Sequence, residues 1–356
     1  MNQSGNVIAC VWDFDKTLIP GYMQAPLFRE YGIDEVAFWE GVESLPVKFR
    51  ERGIRLSEVL TYLTYLLELV KIGCLPGLSK KKLTRYGAQL TFFPGIPDLF
   101  SVLKEDVEGD ERCRVHGVTL EHYIVSSGHL EVIRGSQVAP FVDGIFACEF
   151  LEDEMETEAK EFFERIEKKR LMAEKNGEFS EEESDTIGIY ENADQIAFEA
   201  IEQAGIEESE REIRQIARVI DNTQKTRCLF EINKGSNKNS AIDVNATIDD
   251  CDRRVPFRNM IYIADGPSDI PAFSVIRRNG GKAFAVYEPN KEKEFAQNDR
   301  MLEEGRIDAY GPADYRLDSS TAKWIRMHVK KIAQRILDER EQLTDKLIGK
   351  PPEHLF

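Results

Sequence analysis

Two aspartates separated by one residue follow a short apolar run near the start of the chain. Val7 to Trp12 is almost continuously apolar, which is typical of a strand buried on both faces of a parallel sheet. Side chains alternate along a strand, so Asp13 and Asp15 would project together while Phe14 packs away from them. Adjacent carboxylates repel and lose hydration, and a divalent cation or a shared proton would offset that cost. The pair therefore indicates metal and acid–base chemistry or, more simply, a cap on the next turn.

Two later apolar runs also end in small or acidic residues. Residues 122–125 lead into Ser126–Gly128, and residues 260–264 lead into Asp265–Asp269. Parallel strands bring their carboxyl ends to one edge of a sheet, and open α/β sheets bind ligands outside that edge. The three runs together predict an open parallel sheet with a polar, acidic site at that edge.

Four features of the sequence follow the order of a known superfamily. They are the DxDxT motif at Asp13–Thr17, a serine after a strand at Ser126, a lysine that opens a later helix, and the DGxxD motif at Asp265–Asp269. In these features the chain resembles the haloacid dehalogenase superfamily, and particularly its phosphoserine-phosphatase-like branch. The resemblance covers most of residues 5–150 and 215–290. Each motif is weak alone, but the four in this order are specific.

The resemblance implies phosphoryl transfer through a covalent intermediate. Asp13 would be the nucleophile that becomes an aspartyl phosphate, and Asp15 would protonate the leaving alkoxide and then deprotonate the attacking water. Mg²⁺ would be held by Asp13, the main-chain carbonyl of Asp15 and Asp265, with Asp269 as a ligand or as support. Hard oxygen ligands of this kind suit Mg²⁺ better than zinc.

The resemblance also implies a phosphate-binding loop after the second run. Ser126 is placed to hydrogen-bond a phosphoryl oxygen, helped by the backbone N–H groups of the turn through Gly128. Ser127 is the alternative serine. Thr17 would support the loop that carries the two aspartates.

Two lysines compete for the role of the site lysine. Lys238 is followed by Asn-Ser-Ala-Ile, the K-x-x-small-aliphatic opening of a helix, whereas Lys234 stands before a glycine. We favour Lys238, because a helix start would fix the ammonium better than a glycine-flanked loop.

The chain departs from the family pattern at three positions. Ala264 replaces the usual glycine before the DGxxD motif, and Ser268 replaces the usual asparagine; both are small and leave the carboxylates in place. Phosphoserine phosphatases carry a glutamate nine positions after the nucleophile to recognise the substrate ammonium, and this chain has Tyr22 there. We therefore expect a substrate without an obligatory ammonium, such as a polyol, sugar or organic-acid phosphate.

Periodicity and composition divide the chain into a core and two insertions. We predict an α/β fold with a doubly wound parallel sheet, a helical cap domain inserted after the first strand, and a second, charged helical insertion. Arg218–Ile232 contains two β-rich runs around a turn and predicts a hairpin or a bent strand. The predicted boundaries are residues 1–18, 93–153 and 213–318 for the core, 19–92 for the cap, 154–212 for the charged insertion and 319–356 for a C-terminal helix.

Apolar residues at helical spacing mark two of these segments. In the cap, Gly73 would end a helix, and in the C-terminal helix Ser319 or Ser320 would be the N-cap. The apolar stripes are Leu56, Val59, Leu60, Leu63, Leu66, Leu67 and Val70 in the cap, and Ile325, Val329, Ile332 and Ile336 in the last helix.

Composition excludes several functional classes. The net charge of −17 argues against binding to nucleic acid or to an anionic membrane surface, since both require basic patches. The six cysteines include no CxxC pair, so neither a zinc site nor a disulfide framework is indicated. The first strand begins a few residues after Met1, and we expect no signal peptide and a soluble, cytoplasmic protein.

These features predict a Mg²⁺-dependent phosphatase that hydrolyses a small phosphorylated metabolite, with the oligomeric state left open. A dehalogenase of the same fold would not need Asp15. A phosphotransferase remains an alternative, because exclusion of water under the cap selects the acceptor. A non-catalytic phosphate-binding regulatory module is the alternative from a different class, and the full set of motif residues argues against it.

Overall fold

The apolar run at the start of the chain is the central strand of a mostly parallel sheet. A computed structural model describes residues 5–152, 159–160, 162–168, 211–249 and 252–348. All six residues of β1, Val7–Trp12, are buried, and β1 pairs in parallel with β2 on one side and β5 on the other. Trp12 lies opposite Ile124 of β2 and Ile263 of β5, so the polar residues that follow these three positions within two residues lie at one edge of the sheet.

The described residues form one seven-stranded sheet in the order β4-β3-β2-β1-β5-β6-β7. Only β4 runs antiparallel, against β3. The strands are β1 Val7–Trp12, β2 Thr119–His129, β3 Gly144–Leu151, β4 Gln215–Arg218, β5 Met260–Ala264, β6 Lys282–Tyr287 and β7 Ala309–Pro312. The predicted parallel sheet is confirmed.

Helices cover the sheet in two groups. Helices α5, Asp98–Glu108, and α6, Glu111–His116, contact the C-terminal helix α11, Ser320–Ile348. Helices α8, Asn222–Lys234, and α9, Ile270–Arg278, contact each other. Helices α5 and α8 both contact β2, so both groups pack against the middle of the sheet, in keeping with the predicted doubly wound fold. Helix α7 is Leu130–Arg134 and helix α10 is Glu292–Glu303.

The predicted helical insertion between β1 and β2 is confirmed. It contains α1 Ala25–Tyr31, α2 Glu35–Arg50, α3 Glu58–Lys71 and α4 Lys80–Gly87. Within the stripe of α3, Leu63, Leu66, Leu67 and Val70 are buried, whereas Leu60 is exposed. Gly73 follows the helix with φ +77°, a left-handed conformation that a glycine adopts without strain. We call residues 19–92 the cap segment.

One end of the cap segment is packed tightly onto the core. A Cβ on Gly87 of α4 would lie 2.1 Å from the carbonyl oxygen of Val132 in α7, and a Cβ on Gly135 would lie 1.8 Å from that of Thr84. Only hydrogen at these Cα atoms permits such an approach. Helix α4 is therefore fixed against α7, the helix that follows Ser126–Gly128, which we call the serine loop.

The hairpin predicted over Arg218–Ile232 is wrong. Strand β4 ends at Arg218, and Asp221 then caps α8, its carboxylate accepting from the backbone N–H groups of Thr223 and Gln224 at 2.8 and 2.7 Å. The buried positions of the helix lie at helical spacing and outweigh the β-propensity of its residues. They include Lys225, Cys228, Leu229 and Ile232.

The C-terminal helix has the predicted stripe and N-cap. Ile325, Val329, Ile332 and Ile336 are all buried, and the Ser319 hydroxyl accepts from the Ala322 N–H at 3.0 Å. The prediction of a charged insertion over residues 154–212 falls mainly on residues outside those described. No described helix is both long and apolar enough to cross a bilayer.

A buried histidine predicts how stability depends on pH. The Trp12 indole N–H donates to Nδ1 of His122 at 3.2 Å, so Nε2 carries the proton and donates to the Phe100 carbonyl at 3.1 Å. Burial lowers the pKa of His122 from 6.5 to about 3. Below pH 6.5 His122 therefore binds a proton in the unfolded chain but stays neutral in the folded chain, and acid favours unfolding.

We expect His122→Asn to lower stability at pH 7 but to flatten its dependence on acid. Between pH 7 and 5 the difference from wild type should shrink by about 2 kcal/mol, at about 1.4 kcal/mol per pH unit below the unfolded pKa. Urea unfolding at several pH values measures this difference, with His116→Asn, at a half-buried position, as the comparison. Parallel curves for wild type and His122→Asn would contradict the assignment.

Candidate active site

Three carboxylates converge where β1 and β5 end. Asp13 follows β1, Asp265 follows β5, and Asp269 closes the short 3₁₀ turn Pro267–Asp269. Each offers a carboxylate oxygen, and these oxygens lie within 4.8 Å of one another. The structure thus brings Asp13 together with two other predicted acidic residues that lie more than 250 positions later in the sequence.

The lysine beside these carboxylates is Lys225, which the sequence analysis did not identify. Its ammonium donates to Asp13 at 2.8 Å and to Asp269 at 2.7 Å, and its side chain is only 2% exposed. These contacts raise the lysine pKa, although burial acts in the opposite direction. Lys225 is therefore held charged inside the protein by two carboxylates.

The two predicted lysines lie elsewhere. Lys238 donates to the main-chain carbonyl of Asp143 at 2.7 Å, and Lys234 donates to the carbonyls of Val244 and Ala246. The choice of Lys238 is corrected to Lys225. A lysine on the apolar face of an amphipathic helix would have been the signal for this residue. It was missed because the segment was interpreted as strands.

Asp269 is surrounded by donors. One of its oxygens accepts from Lys225 and from the Tyr262 hydroxyl at 2.6 Å, and the other accepts from the Ser268 hydroxyl at 2.9 Å. The residue is completely buried. Of the two alternatives from the sequence, this arrangement fits support of the lysine better than direct coordination of a metal.

Asp15 and Asp265 are acids that resist ionisation. Burial, followed by the charge of Asp13, raises the pKa of Asp15 to about 8, although the Met23 N–H donates to its carboxylate at 2.8 Å. The same two causes raise the pKa of Asp265. Burial also raises the pKa of Asp13, and the ammonium of Lys225 partly reverses this effect. The site carries more carboxylates than cations.

The donor set fits a divalent cation with a preference for oxygen. The carboxylates of Asp13 and Asp265 are close together and unfavourable as a pair of bare charges, a combination that a bound cation relieves. Their oxygens are hard ligands of the kind that Mg²⁺ takes, and no sulfur or imidazole belongs to the described cluster.

The serine loop continues β2 beyond the register of β1. Ser126 is 1% exposed, and its hydroxyl accepts from the Gly128 N–H at 3.0 Å. Thr17 is fully buried, with its hydroxyl 3.5 Å from Asp13 and its carbonyl accepting from the Tyr315 hydroxyl at 2.6 Å. Through its carbonyl, Thr17 ties the loop after β1 to Tyr315, and its predicted role in supporting the two aspartates stays a prediction.

The cap segment touches the site at three points. The Tyr62 hydroxyl of α3 donates to the Ser127 carbonyl at 2.5 Å. The thioether of Met23 covers Gly128 so closely that a Cβ there would lie 2.1 Å from the methionine methyl carbon. The third contact is between Tyr22 and Lys16, whose ammonium donates to the phenol at 2.8 Å.

Aromatic rings continue from these contacts into the cap segment. Ring centroids lie 5.1 Å apart for Tyr22 and Trp39, 5.8 Å for Trp39 and Tyr62, and 5.9 Å for Tyr62 and His129. Among the described residues, two of these ring side chains and one residue next to Met23 have buried polar atoms without a hydrogen-bond partner. They are Gln24 Oε1, Trp39 Nε1 and both ring nitrogens of His129.

The fold and this site define an α/β protein with a lysine-bridged carboxylate cluster at the carboxyl edge of a doubly wound sheet. No protein-family model matches the chain. Over 329 residues it is 30% identical to an uncharacterized protein of Borreliella burgdorferi, a match that spans 91% of this chain and 97% of that protein. The chain belongs to the same family as this Borreliella protein.

Solved structures that resemble the chain superpose loosely. A hydrolase of the haloacid dehalogenase family from Salmonella enterica serovar Typhi has a TM-score of 0.44 at 12% identity, over 86% of this chain and 67% of that one. A probable phosphoserine phosphatase from Vibrio cholerae has a TM-score of 0.44 at 10% identity, over 94% and 68%. A phosphoserine phosphatase has a TM-score of 0.41 at 12% identity, over 87% and 96%. At this level of similarity, the chemistry has to be inferred from the chain's own residues.

Proposed function

We propose that this protein is a Mg²⁺-dependent phosphatase of the haloacid dehalogenase type, which hydrolyses a small phosphorylated metabolite in the cytoplasm. The observation that carries the proposal is the buried ammonium of Lys225, shared by Asp13 and Asp269 beside a third acid, Asp15. An ionised nucleophile, a protonated acid and a fixed positive charge are what in-line phosphoryl transfer requires.

The two aspartates of the DxDxT motif differ in their tendency to ionise, and this reaction needs one ionised and one protonated carboxyl group. Asp13 has an ammonium at 2.8 Å that favours its ionised form, so it is suited to attack phosphorus with a carboxylate oxygen. The pKa of Asp15 is raised to about 8, so at neutral pH this carboxyl holds a proton that it can give to the leaving oxygen. After that transfer, the Asp15 carboxylate is a base for the water that hydrolyses the aspartyl phosphate.

Other residues would hold the phosphoryl group and the metal. Ser126 and the N–H groups of its turn would donate to phosphoryl oxygens, and Lys225 would compensate the charge on them in the transition state. Asp13, Asp265 and the main-chain carbonyl of Asp15 would hold Mg²⁺, with Asp269 fixing the lysine. When bound, Mg²⁺ would supply charge neutralisation at the phosphoryl group.

Hydrolysis of an aryl phosphate tests the proposal. The purified protein should release phosphate and p-nitrophenol from p-nitrophenyl phosphate with added Mg²⁺, lose this activity in EDTA and regain it when Mg²⁺ is restored. Release of p-nitrophenol without an equal amount of phosphate, together with a phosphorylated alcohol in the medium, would identify a phosphotransferase instead. No turnover of any phosphomonoester in a broad panel would favour a non-catalytic module.

The residues around Tyr22 predict the substrate preference. A buried carboxylate can pair with a ligand ammonium, but Tyr22 offers a phenol that already accepts from Lys16. We expect kcat/KM for phosphoserine to lie within about tenfold of the values for phosphates of polyols, sugars and organic acids. A preference for phosphoserine above about a hundredfold, roughly 2.7 kcal/mol, would contradict this interpretation.

A further inference from the structure

A cavity lined by several cationic side chains lies at the opposite edge of the sheet from the acidic site. Its volume is about 300 Å³, and it opens between the start of β6 and the C-terminal helix α11. Four of the side chains that line it are cationic: Arg258, Lys282, Lys331 and Arg335. Lys282 is the first residue of β6, whereas Asp265 follows the last residue of β5, so the two sites are separated by the length of the strands.

The cavity is basic although the chain as a whole carries a net charge of −17. The carboxylate of Asp308 is shared by Lys282 at 3.3 Å and by Arg277 at 3.4 Å, so it cannot neutralise both. Among the described residues, no hydrogen bond or ion pair reaches the exposed ammonium of Lys331.

The two arginines share the other carboxylate. Arg258 donates both of its terminal N–H groups to Glu339 at 2.9 Å, and Nε of Arg335 is left 3.8 Å from the same carboxylate. That Nε is buried without a hydrogen-bond partner among the described residues. Five cations therefore surround this part of the molecule with two carboxylates between them.

Two pKa shifts agree with an excess of positive charge in the cavity. Burial, followed by the like charge of Arg258, lowers the pKa of Arg335. Burial, followed by the charges of Lys282 and Lys331, lowers the pKa of His328, which also lines the cavity. An anion bound in the cavity would reduce the repulsion between positive charges that lowers both pKa values.

We propose that this cavity binds a small multivalent oxyanion of the size of pyrophosphate or a tricarboxylate. The Arg335 guanidinium, with its unused Nε–H, can donate a directed hydrogen bond to one anionic oxygen. The Lys331 ammonium can attract a neighbouring oxygen as a point charge. The volume is at the lower end of the range for small-molecule sites and suits a compact ligand. The site is independent of the proposed phosphatase activity, because it shares no residue with the acidic cluster.

Calorimetric titration of the full chain with pyrophosphate, and separately with citrate, tests the proposal. Divalent cations are first removed with a chelating resin, because dissolved EDTA is itself a multivalent carboxylate that would compete for the cavity. The acidic site then has no metal to attract an anion. We expect saturable binding of at least one of the two anions with a Kd below about 1 mM. Comparison of the two titrations identifies whether phosphate or carboxylate oxygens are preferred, and acetate at equal ionic strength controls for non-specific screening.

Two charge reversals on α11 locate the binding. Lys331→Glu should weaken binding by about tenfold or more, whereas Lys323→Glu, which makes the same charge change at an exposed position outside the cavity, should change it less than about twofold. Arg335→Gln is the second cavity variant and should also weaken binding. The proposal is overturned if neither anion binds in a saturable way, or if Lys331→Glu binds as tightly as Lys323→Glu.

Discussion

Asp13→Asn should lower the turnover of p-nitrophenyl phosphate by about a thousandfold or more. The amide is nearly isosteric with the carboxylate but is a much weaker nucleophile, so no aspartyl phosphate can form. Loss of one buried negative charge also removes part of the repulsion that raises the pKa values of Asp15 and Asp265. We expect the variant to fold, because Asp269 still pairs with the Lys225 ammonium; the loss of that ammonium's second carboxylate and the relief of repulsion act in opposite directions on stability.

Steady-state kinetics and thermal unfolding measure the two parts of this prediction. Asp318→Asn, at an exposed position, is the matched control and should keep full activity. Asp15→Asn should lose less activity on an aryl phosphate than on an alkyl phosphate, because a phenolate leaves without a proton. More than a few per cent of wild-type turnover in Asp13→Asn would rule out Asp13 as the nucleophile.

Lys225→Met should abolish turnover and also destabilise the protein. The loss of the ammonium leaves two buried carboxylates without a counter-charge, and removing one partner of a buried pair typically costs about 3–5 kcal/mol. The destabilisation should be smaller at low pH, since Asp13, whose pKa is raised by burial, can then take up a proton. Activity should fall because the charge developing on the phosphoryl oxygens is no longer compensated.

Lys238→Met and Lys234→Met are the comparisons for this prediction. Both lysines donate to main-chain carbonyls, and neither contacts a site carboxylate. We expect both variants to keep most of the wild-type kcat/KM. A large loss of kcat/KM in Lys238→Met together with a small loss in Lys225→Met would show that Lys238, the lysine favoured from the sequence, is the site lysine.

The sequence was sufficient to predict the sheet and the acidic cluster because each depends on a local pattern. Apolar runs that end in Asp13, Ser126 and Asp265 are buried strands, and parallel strands must present their carboxyl ends together. Whether Asp13–Thr17 only capped a turn could not be decided from that pentapeptide. The convergence of Asp13 with two acids from the far end of the chain resolves the question.

The site lysine was missed because its signal conflicts with local propensity. The segment around Lys225 is rich in residues that favour strands, and a lysine on an apolar face ordinarily argues against burial. The two carboxylates that make the burial possible come from elsewhere in the chain. The contact of Tyr62 with Ser127 joins residues 65 apart, and no sequence period predicts it.

The contact between Met23 and Gly128 has a consequence for variation among related sequences. A Cβ at position 128 would collide with the end of the Met23 side chain, and the Met23 sulfur also accepts from the N–H of His129. A larger residue at position 128 therefore requires the end of the Met23 side chain to move or to be shortened. In relatives that carry a larger residue where Gly128 stands, the residue aligned with Met23 should be shorter than methionine, and the pair should be exchanged together.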